Sequence, residues 1–221
     1  MSVIQALLIS IFYYIGSSPI PFGSVGNWAT LNRPLVMGLI VGIILNKPIE
    51  GTIMGAVVNT IYLGATAING TLTSDSGVAG AFGIAIALTS NLTSQQALSI
   101  SIPIGAIGSL FWNLSLTLQC ALNPIANKCI EKGDTKKLFL VNHFLPHTIK
   151  AIIRISYAFV ILYFLTPIFS DLIESLDTKL LDSLSIAGGM LPAIGIAMML
   201  NVVYKGKSRV FFLRFFVINL F

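Results

Sequence analysis

The chain has 221 residues, of which 55% are hydrophobic and only 10% charged, and its mean hydropathy is +0.89. A soluble domain carries about a quarter of its residues as charges, so this chain cannot cover a water-facing surface and belongs in a bilayer. The net charge of +5 matters by position, not as a nucleic-acid footprint, because the basic residues lack interleaved aromatics and lie beside apolar segments.

A membrane-crossing helix needs roughly 20 mostly apolar residues. Residues 2–16 open the chain with an apolar run that has no Lys or Arg before it and no small-residue cleavage site. That pattern reads as retained membrane structure, not a removable signal peptide. The stretch GSSPIPFGSVGNWATLNRP (16–34) is rich in Gly, Ser and Pro and breaks the apolar pattern in the manner of a surface loop. LVMGLIVGIIL (35–45) follows, then NKPIEG as a turn, GTIMGAVVNTIYLGATAI (51–68), the polar NGTLTSDSG, and GVAGAFGIAIALTS (77–90). The runs 35–45 and 77–90 are too short to cross a bilayer as straight helices. Short, Gly-interrupted apolar runs point to re-entrant or broken helices, whose irregular backbone is tolerated at depth only beside protein or a water-filled cavity. In transporters such breaks commonly form the substrate site.

The second half is more regular. Residues 97–122, 151–169 and 184–204 are clear crossing candidates. Lys128, Lys132, Lys136, Lys137 and Lys150 cluster in one connection, and Lys205, Lys207 and Arg209 in another. Lys and Arg mark cytoplasmic segments, which places 123–150 and 205–209 inside and 170–183 outside. The expected fold is an all-α polytopic membrane protein with re-entrant or broken helices in the first half, forming one integral-membrane domain over 1–221. Glycines four apart, at Gly38 and Gly42 and at Gly51 and Gly55, predict close helix packing.

Few residues carry recognisable chemistry. Asp75 is the only charged residue between Glu50 and Lys128. Its neighbours Thr71, Thr73, Ser74 and Ser76 suit a loop tip in water. A carboxylate at membrane depth, however, costs about 2.5–3.5 kcal/mol and is a functional candidate by default. The residues alone leave both readings open. Asn59, in the middle of 51–68, suits a helix–helix hydrogen bond or one wall of a sugar site, since amides and acids offer both donors and acceptors to hydroxyls. Trp28, beside Asn27, suits an interfacial anchor or a platform for a sugar ring. His143 and His147 stand four apart without a third ligand nearby, and Cys120 and Cys129 have neither metal-ligand spacing nor a disulfide framework. No Ser/His/Asp order, zinc spacing or nucleotide motif is present, so no cofactor, no metal and no catalytic machinery are expected.

The block RPLVMGLIVGIILNKPIEGTIMGAVVNTIYLGATAINGTLTSDSGVAGAFGIAIAL resembles the central block of enzyme IIC of the mannose/fructose/sorbose-type phosphoenolpyruvate-dependent phosphotransferase system. LDSLSIAGGMLPAIGIAMMLN is similar to a second segment of that family, and IQALLISIFYYIG fits more loosely. The resemblance covers most of residues 1–205. It implies a multi-pass permease subunit of the bacterial inner membrane, with a membrane IID partner and cytoplasmic IIA and IIB proteins. These would pass phosphate through phosphohistidines to the incoming sugar, with no phosphohistidine on IIC itself. It also implies re-entrant elements around the sugar and an elevator-like movement. Carried over residue by residue, the sugar-binding region falls at Asn59, Asn69, Ser74 and Asp75, with Asn27 and Trp28 as further contributors. Mannose-type members carry an acid where this chain has Asn59, so the resemblance implies a hexose or amino sugar without choosing among them. The family also continues beyond the point where this chain ends, in KGKSRVFFLRFFVINLF. Two other readings remain open at this level: a non-transporting, truncated assembly partner or receptor, and an ion-coupled secondary transporter using Asp75.

Overall fold

A computed structural model describes residues 1–19, 23–63, 74–175 and 177–203. All the regular structure among them is helical. Helix α1 (Val3–Ser17) starts at a capping box in which Ser2 Oγ accepts from Gln5 N and the Gln5 side chain accepts from Ser2 N. The reciprocal pair satisfies two backbone donors that a helix start otherwise leaves bare. Helix α2 (Gly23–Ala29) is short, while α3 (Pro34–Ile44) and α4 (Pro48–Tyr62) each begin with proline, whose fixed φ and missing N–H suit the first helical turn. Helix α5 covers Ser76–Thr89, with a π turn at Ala79–Gly83. Helix α6 (Ser94–Cys120) repeats the capping box with Thr93 and Gln96, and α7 (Asn123–Glu131) follows. Helix α8 runs through Thr135–Phe139, Leu140–Phe144, Leu145–Val160, Ile161–Leu165 and Thr166–Glu174, the second and fourth pieces being π turns. Helix α9 covers Thr178–Val203.

Among the described residues three helical stretches are long and apolar enough to cross a membrane: Ser94–Glu131, Thr135–Phe169 and Lys179–Met198. They contain 97–122 and 151–169 whole and residues 184–198 of the third expected segment; α9 itself runs on to Val203, and residue 204 lies outside the described residues. The first half is built differently. Helix α3 has 11 residues and α4 has 15, so they are about 16 and 22 Å long, against a hydrocarbon core of about 30 Å. Cross-links place the ends of these short helices. Gln5 Nε2 donates to Ile44 O, and Lys47 Nζ donates to Leu88 O and Asn91 Oδ1. Gln96 Nε2 and Ser99 Oγ donate to Leu181 O and Leu184 O. The start of α1, the α3–α4 turn, the α5–α6 turn and the start of α9 therefore share one end of the molecule, the near end. At the other end of the short helices, Asp75 N donates to Gly105 O at 2.8 Å. Gly105 lies about 17 Å along the roughly 40 Å of α6. The far ends of α4 and α5 thus stop near mid-depth, which matches the expectation of broken helices in the first half.

Helix α5 is buried on every side from Gly77 to Leu88. A helix apolar all round is a core helix when protein encloses it, and here α1, α3, α4, α6 and α8 do so. Close approach makes the enclosure possible. A Cβ on Gly51 would collide with Gly38 O, and one on Gly42 would lie 2.7 Å from Lys47 O. The α3–α4 pair is therefore held backbone to backbone, as small residues allow in lipid. The outer helices turn apolar side chains outward, with Ile186 at 69% and Met190 at 67% exposure, as a bilayer requires.

One expectation from composition needs correction. The 16–34 stretch is not simply a surface loop. It contains α2 and buries Asn27 and Asn32, because its polar side chains satisfy backbone groups: Asn27 Nδ2 donates to Ile15 O at 3.2 Å and also to Ser18 O. The basic stretch 123–150 is helical for most of its length, with Asp134 capping α8 by accepting from Lys137 N.

Candidate functional site at the broken helix ends

The far ends of the short helices bring polar side chains together at the level of Gly105. Asp75 starts α5. Its Oδ1 accepts from Gly77 N at 2.9 Å and Val78 N at 3.2 Å, a carboxylate cap on the positive end of the helix. Its Oδ2 accepts from Tyr13 Oη of α1 at 3.0 Å. Asp75 is 1% exposed, so the loop-tip reading fails and the lone charge sits inside the protein. Beside it, Ser74 Oγ and Tyr62 Oη at the end of α4 share a hydrogen bond of 2.8 Å. Tyr62 O in turn accepts from Arg33 Nη1 at 3.0 Å.

Asn59 stands one helical turn before Tyr62, half-buried, and its Oδ1 is buried with no hydrogen-bond partner. Asn32 Oδ1 is in the same state and packs directly against Gly77, where a Cβ would collide with it. Buried polar atoms in proteins are nearly always paired. Asn59 Oδ1, near the end of α4, and Asn32 Oδ1, against the start of α5, are therefore two unmet acceptors in this neighbourhood. Trp28 is half-buried under Arg33, whose guanidinium carbon lies 5.9 Å from the ring centroid. Asn27 has its amide engaged by the backbone around the end of α1. Asn69 lies outside the described residues. The structure thus gathers Asn59, Ser74 and Asp75 around the α4 and α5 ends, and ties Trp28 to them through Arg33.

Three residues in this neighbourhood have no counterpart in the sequence reading. Tyr13, Arg154 and Tyr157 meet behind Asp75. Arg154 Nη1 donates to Tyr13 Oη at 3.3 Å, and the Tyr157 and Tyr13 hydroxyls are hydrogen-bonded. Arg154 is the only charged residue in the apolar run 151–169, the same signal that singled out Asp75. Elsewhere, the His143 and His147 rings are 5.1 Å apart. Among the described residues no group of three or more His, Cys, Asp or Glu side chains is placed to hold a metal ion. Cys120 is exposed and Cys129 buried, both free.

Known proteins resemble the chain over most of its length. Residues 3–221 match the family described as the sorbose-specific IIC component of the PTS system. The sorbose-specific EIIC component of Lacticaseibacillus casei is 28% identical over 221 residues, covering 99% of this chain and 78% of that protein. The mannose-specific EIIC component of Escherichia coli (strain K12) is 24% identical over 196 residues, with 88% and 73% covered. N-acetylgalactosamine permease IIC component 1 of the same strain is 25% identical over 183 residues, with 80% and 66% covered. A solved chain described as a membrane protein superposes with a TM-score of 0.84 at 23% identity, over all of this chain and 88% of that one. A chain from the complex of mannose transporter ManYZ with microcin E492 gives a TM-score of 0.65, also at 23% identity and with the same coverage. The two superpositions show a shared fold. With the family match running over nearly its whole length, the chain belongs to the mannose-type IIC permease subunits of the PTS, in the family of sorbose-specific IIC components.

Proposed function

We propose that this subunit binds a hexose or amino sugar at the mid-depth ends of α4 and α5 and carries it across a bacterial cytoplasmic membrane as one integral-membrane domain. Import is coupled to phosphorylation by cytoplasmic IIA and IIB proteins, and a IID subunit is its membrane partner. The observation that carries this reading is the pair of orphaned, buried amide oxygens, on Asn59 and Asn32, beside a helix whose N-terminus is capped by a buried carboxylate. A polyol presents hydroxyls that both donate and accept. Orphaned amide oxygens take the donated hydrogens, and the hydroxyls of Ser74 and Tyr62 serve either role. Asp75 already accepts from Gly77 N, Val78 N and Tyr13 Oη, so Asn59 and Ser74 are the direct contacts and Asp75 organises the helix end behind them. Asn69, Asn27 and Trp28 complete the proposed region. The basic residues around Lys128–Lys137 favour a cytoplasmic position for the end of the molecule opposite the near end, with the near end outward.

The test is phosphoenolpyruvate-dependent uptake in vesicles holding this chain with IID, IIA and IIB proteins. Radiolabelled sorbose, mannose and N-acetylgalactosamine are the probes, since the relatives are named for them. The expected result is accumulation of one of them as its phosphate, reduced at least tenfold by Asn59→Ala and by Asp75→Asn. Full uptake by both variants would refute the site. Uptake that collapses with the proton gradient, with phosphoenolpyruvate present, would identify an ion-coupled transporter instead. Normal insertion without flux would identify a non-transporting partner.

A further inference from the structure

Arg154 presents a problem that the sugar site alone does not answer. It is 2% exposed on a membrane-crossing helix, where a charge is costly and is kept only with partners. Yet the only ion pair within 4.0 Å among the described residues is Lys47–Glu50 at the near end, at 3.9 Å. Arg154 stacks on Trp112 at 4.7 Å and on Tyr13 at 5.5 Å from the ring centroids. Its Nε has no partner, and its Nη1 donates to Tyr13 Oη. The nearest acid reached through these contacts is Asp75, on the other side of that same hydroxyl. Lys150, one turn away on α8, is occupied elsewhere: it donates to Ser17 O at 2.6 Å and lies over Trp112.

Hydrogen counting fixes the direction of the contacts. A tyrosine hydroxyl has one proton to give and two lone pairs to receive with. Tyr13 Oη gives its one proton to Asp75 Oδ2. Tyr13 Oη therefore accepts from both remaining neighbours, the Arg154 guanidinium and the Tyr157 hydroxyl. Every bond in the cluster then points towards Asp75. The carboxylate has about four acceptor positions, and Gly77 N, Val78 N and Tyr13 Oη occupy three. The Tyr13 ring is itself wedged at 5.4 Å from Phe82 and 6.1 Å from Tyr157, edge to face. Helices α1, α5 and α8 thus converge on one hydroxyl.

We propose that Tyr13 and Arg154 are positioning residues of the sugar site, which hold the Asp75 carboxylate in place and balance its charge through the Tyr13 hydroxyl without direct contact. The proposal deepens the sugar-site reading and rests on it for its transport consequence. Its structural content stands apart and is read by stability. Breaking a buried charge pair leaves the survivor unpaired, whereas removing both partners does not.

Two measurements test it. In thermal unfolding of the purified chain in nanodiscs, Asp75→Asn and Arg154→Met should each lower Tm by about 10 °C. The double variant should recover at least half of the summed loss. Purely additive shifts would overturn the coupling. In the vesicle uptake assay with radiolabelled sorbose, mannose and N-acetylgalactosamine, Tyr13→Phe keeps the ring packing and removes only the hydroxyl. It should raise KM about tenfold at wild-type levels of inserted protein, with a smaller rise for Tyr157→Phe. A wild-type KM for Tyr13→Phe, while Asp75→Asn abolishes uptake, would overturn the positioning role and spare the sugar site. Full uptake by both Asp75→Asn and Asn59→Ala would instead remove the sugar site, and the Tm cycle would still decide the charge coupling.

Discussion

Helices α3 to α5 and helices α6, α8 and α9 solve the same problem, apolar chain in a bilayer, in opposite ways. The long helices satisfy most backbone groups within themselves, with Pro103 of α6 and Pro192 of α9 each interrupting the ladder, and turn apolar side chains to lipid, so each needs less from its neighbours. The short ones stop at mid-depth, where their ends would be bare in hydrocarbon. They persist because other helices enclose them, because glycines bring the backbones together, and because Asp75 and Arg33 supply side-chain partners at the ends. Length gives independence in one region, and interruption leaves a cluster of polar side chains in the other.

The contrast is broken most severely by bulk at the α3–α4 seam. Gly51→Val drives a branched side chain into Gly38 O and the Gly42 backbone, and monodisperse folded protein should vanish from size-exclusion profiles. Gly189→Val on α9 meets nothing within 4 Å and should leave the profile unchanged. Equal yields of the two would show that the hairpin is not close-packed. Next in size is Phe82→Ala in the centre of α5, where the ring is 0% exposed. The cavity should cost about 3–5 kcal/mol, measured by denaturant or thermal unfolding, whereas lipid-facing Ile186→Ala should stay within about 0.5 kcal/mol. Smallest is Thr93→Ala at the start of α6, which removes one half of a capping box. A loss of about 1 kcal/mol is expected, and a neutral result would mean that water replaces the cap at the near end.

Much of this contrast was legible in the residues. Hydropathy and length separate the crossing helices from the runs 35–45 and 77–90, because a bilayer imposes a minimum length on a straight helix. Asp75 was visible as a lone charge. Its burial was not, since Ser, Thr, Gly and Asn serve equally for a loop in water and for a polar site at depth. The same ambiguity hid α2 in a Gly/Ser/Pro-rich stretch whose asparagine bonds the backbone. Arg154 was as solitary in its apolar run as Asp75, but its neighbours in sequence are all apolar or hydroxyl-bearing. Its partners Tyr13 and Trp112 are 141 and 42 positions away, distances that no local pattern spans. The separate resemblance to IIC proteins, carried by the block from Arg33 to Leu88, supplied the family that the match over residues 3–221 bears out.

The central claim is that the broken ends of α4 and α5 hold the sugar. Equilibrium binding of radiolabelled sorbose, mannose and N-acetylgalactosamine to this chain, purified with its IID partner, tests it most directly. Asn59→Ala and Asp75→Asn should each weaken binding of the recognised sugar at least tenfold, about 1.4 kcal/mol. Asn91→Ala, at the near-end turn, should leave it unchanged. Wild-type affinity in both Asn59→Ala and Asp75→Asn would contradict the account.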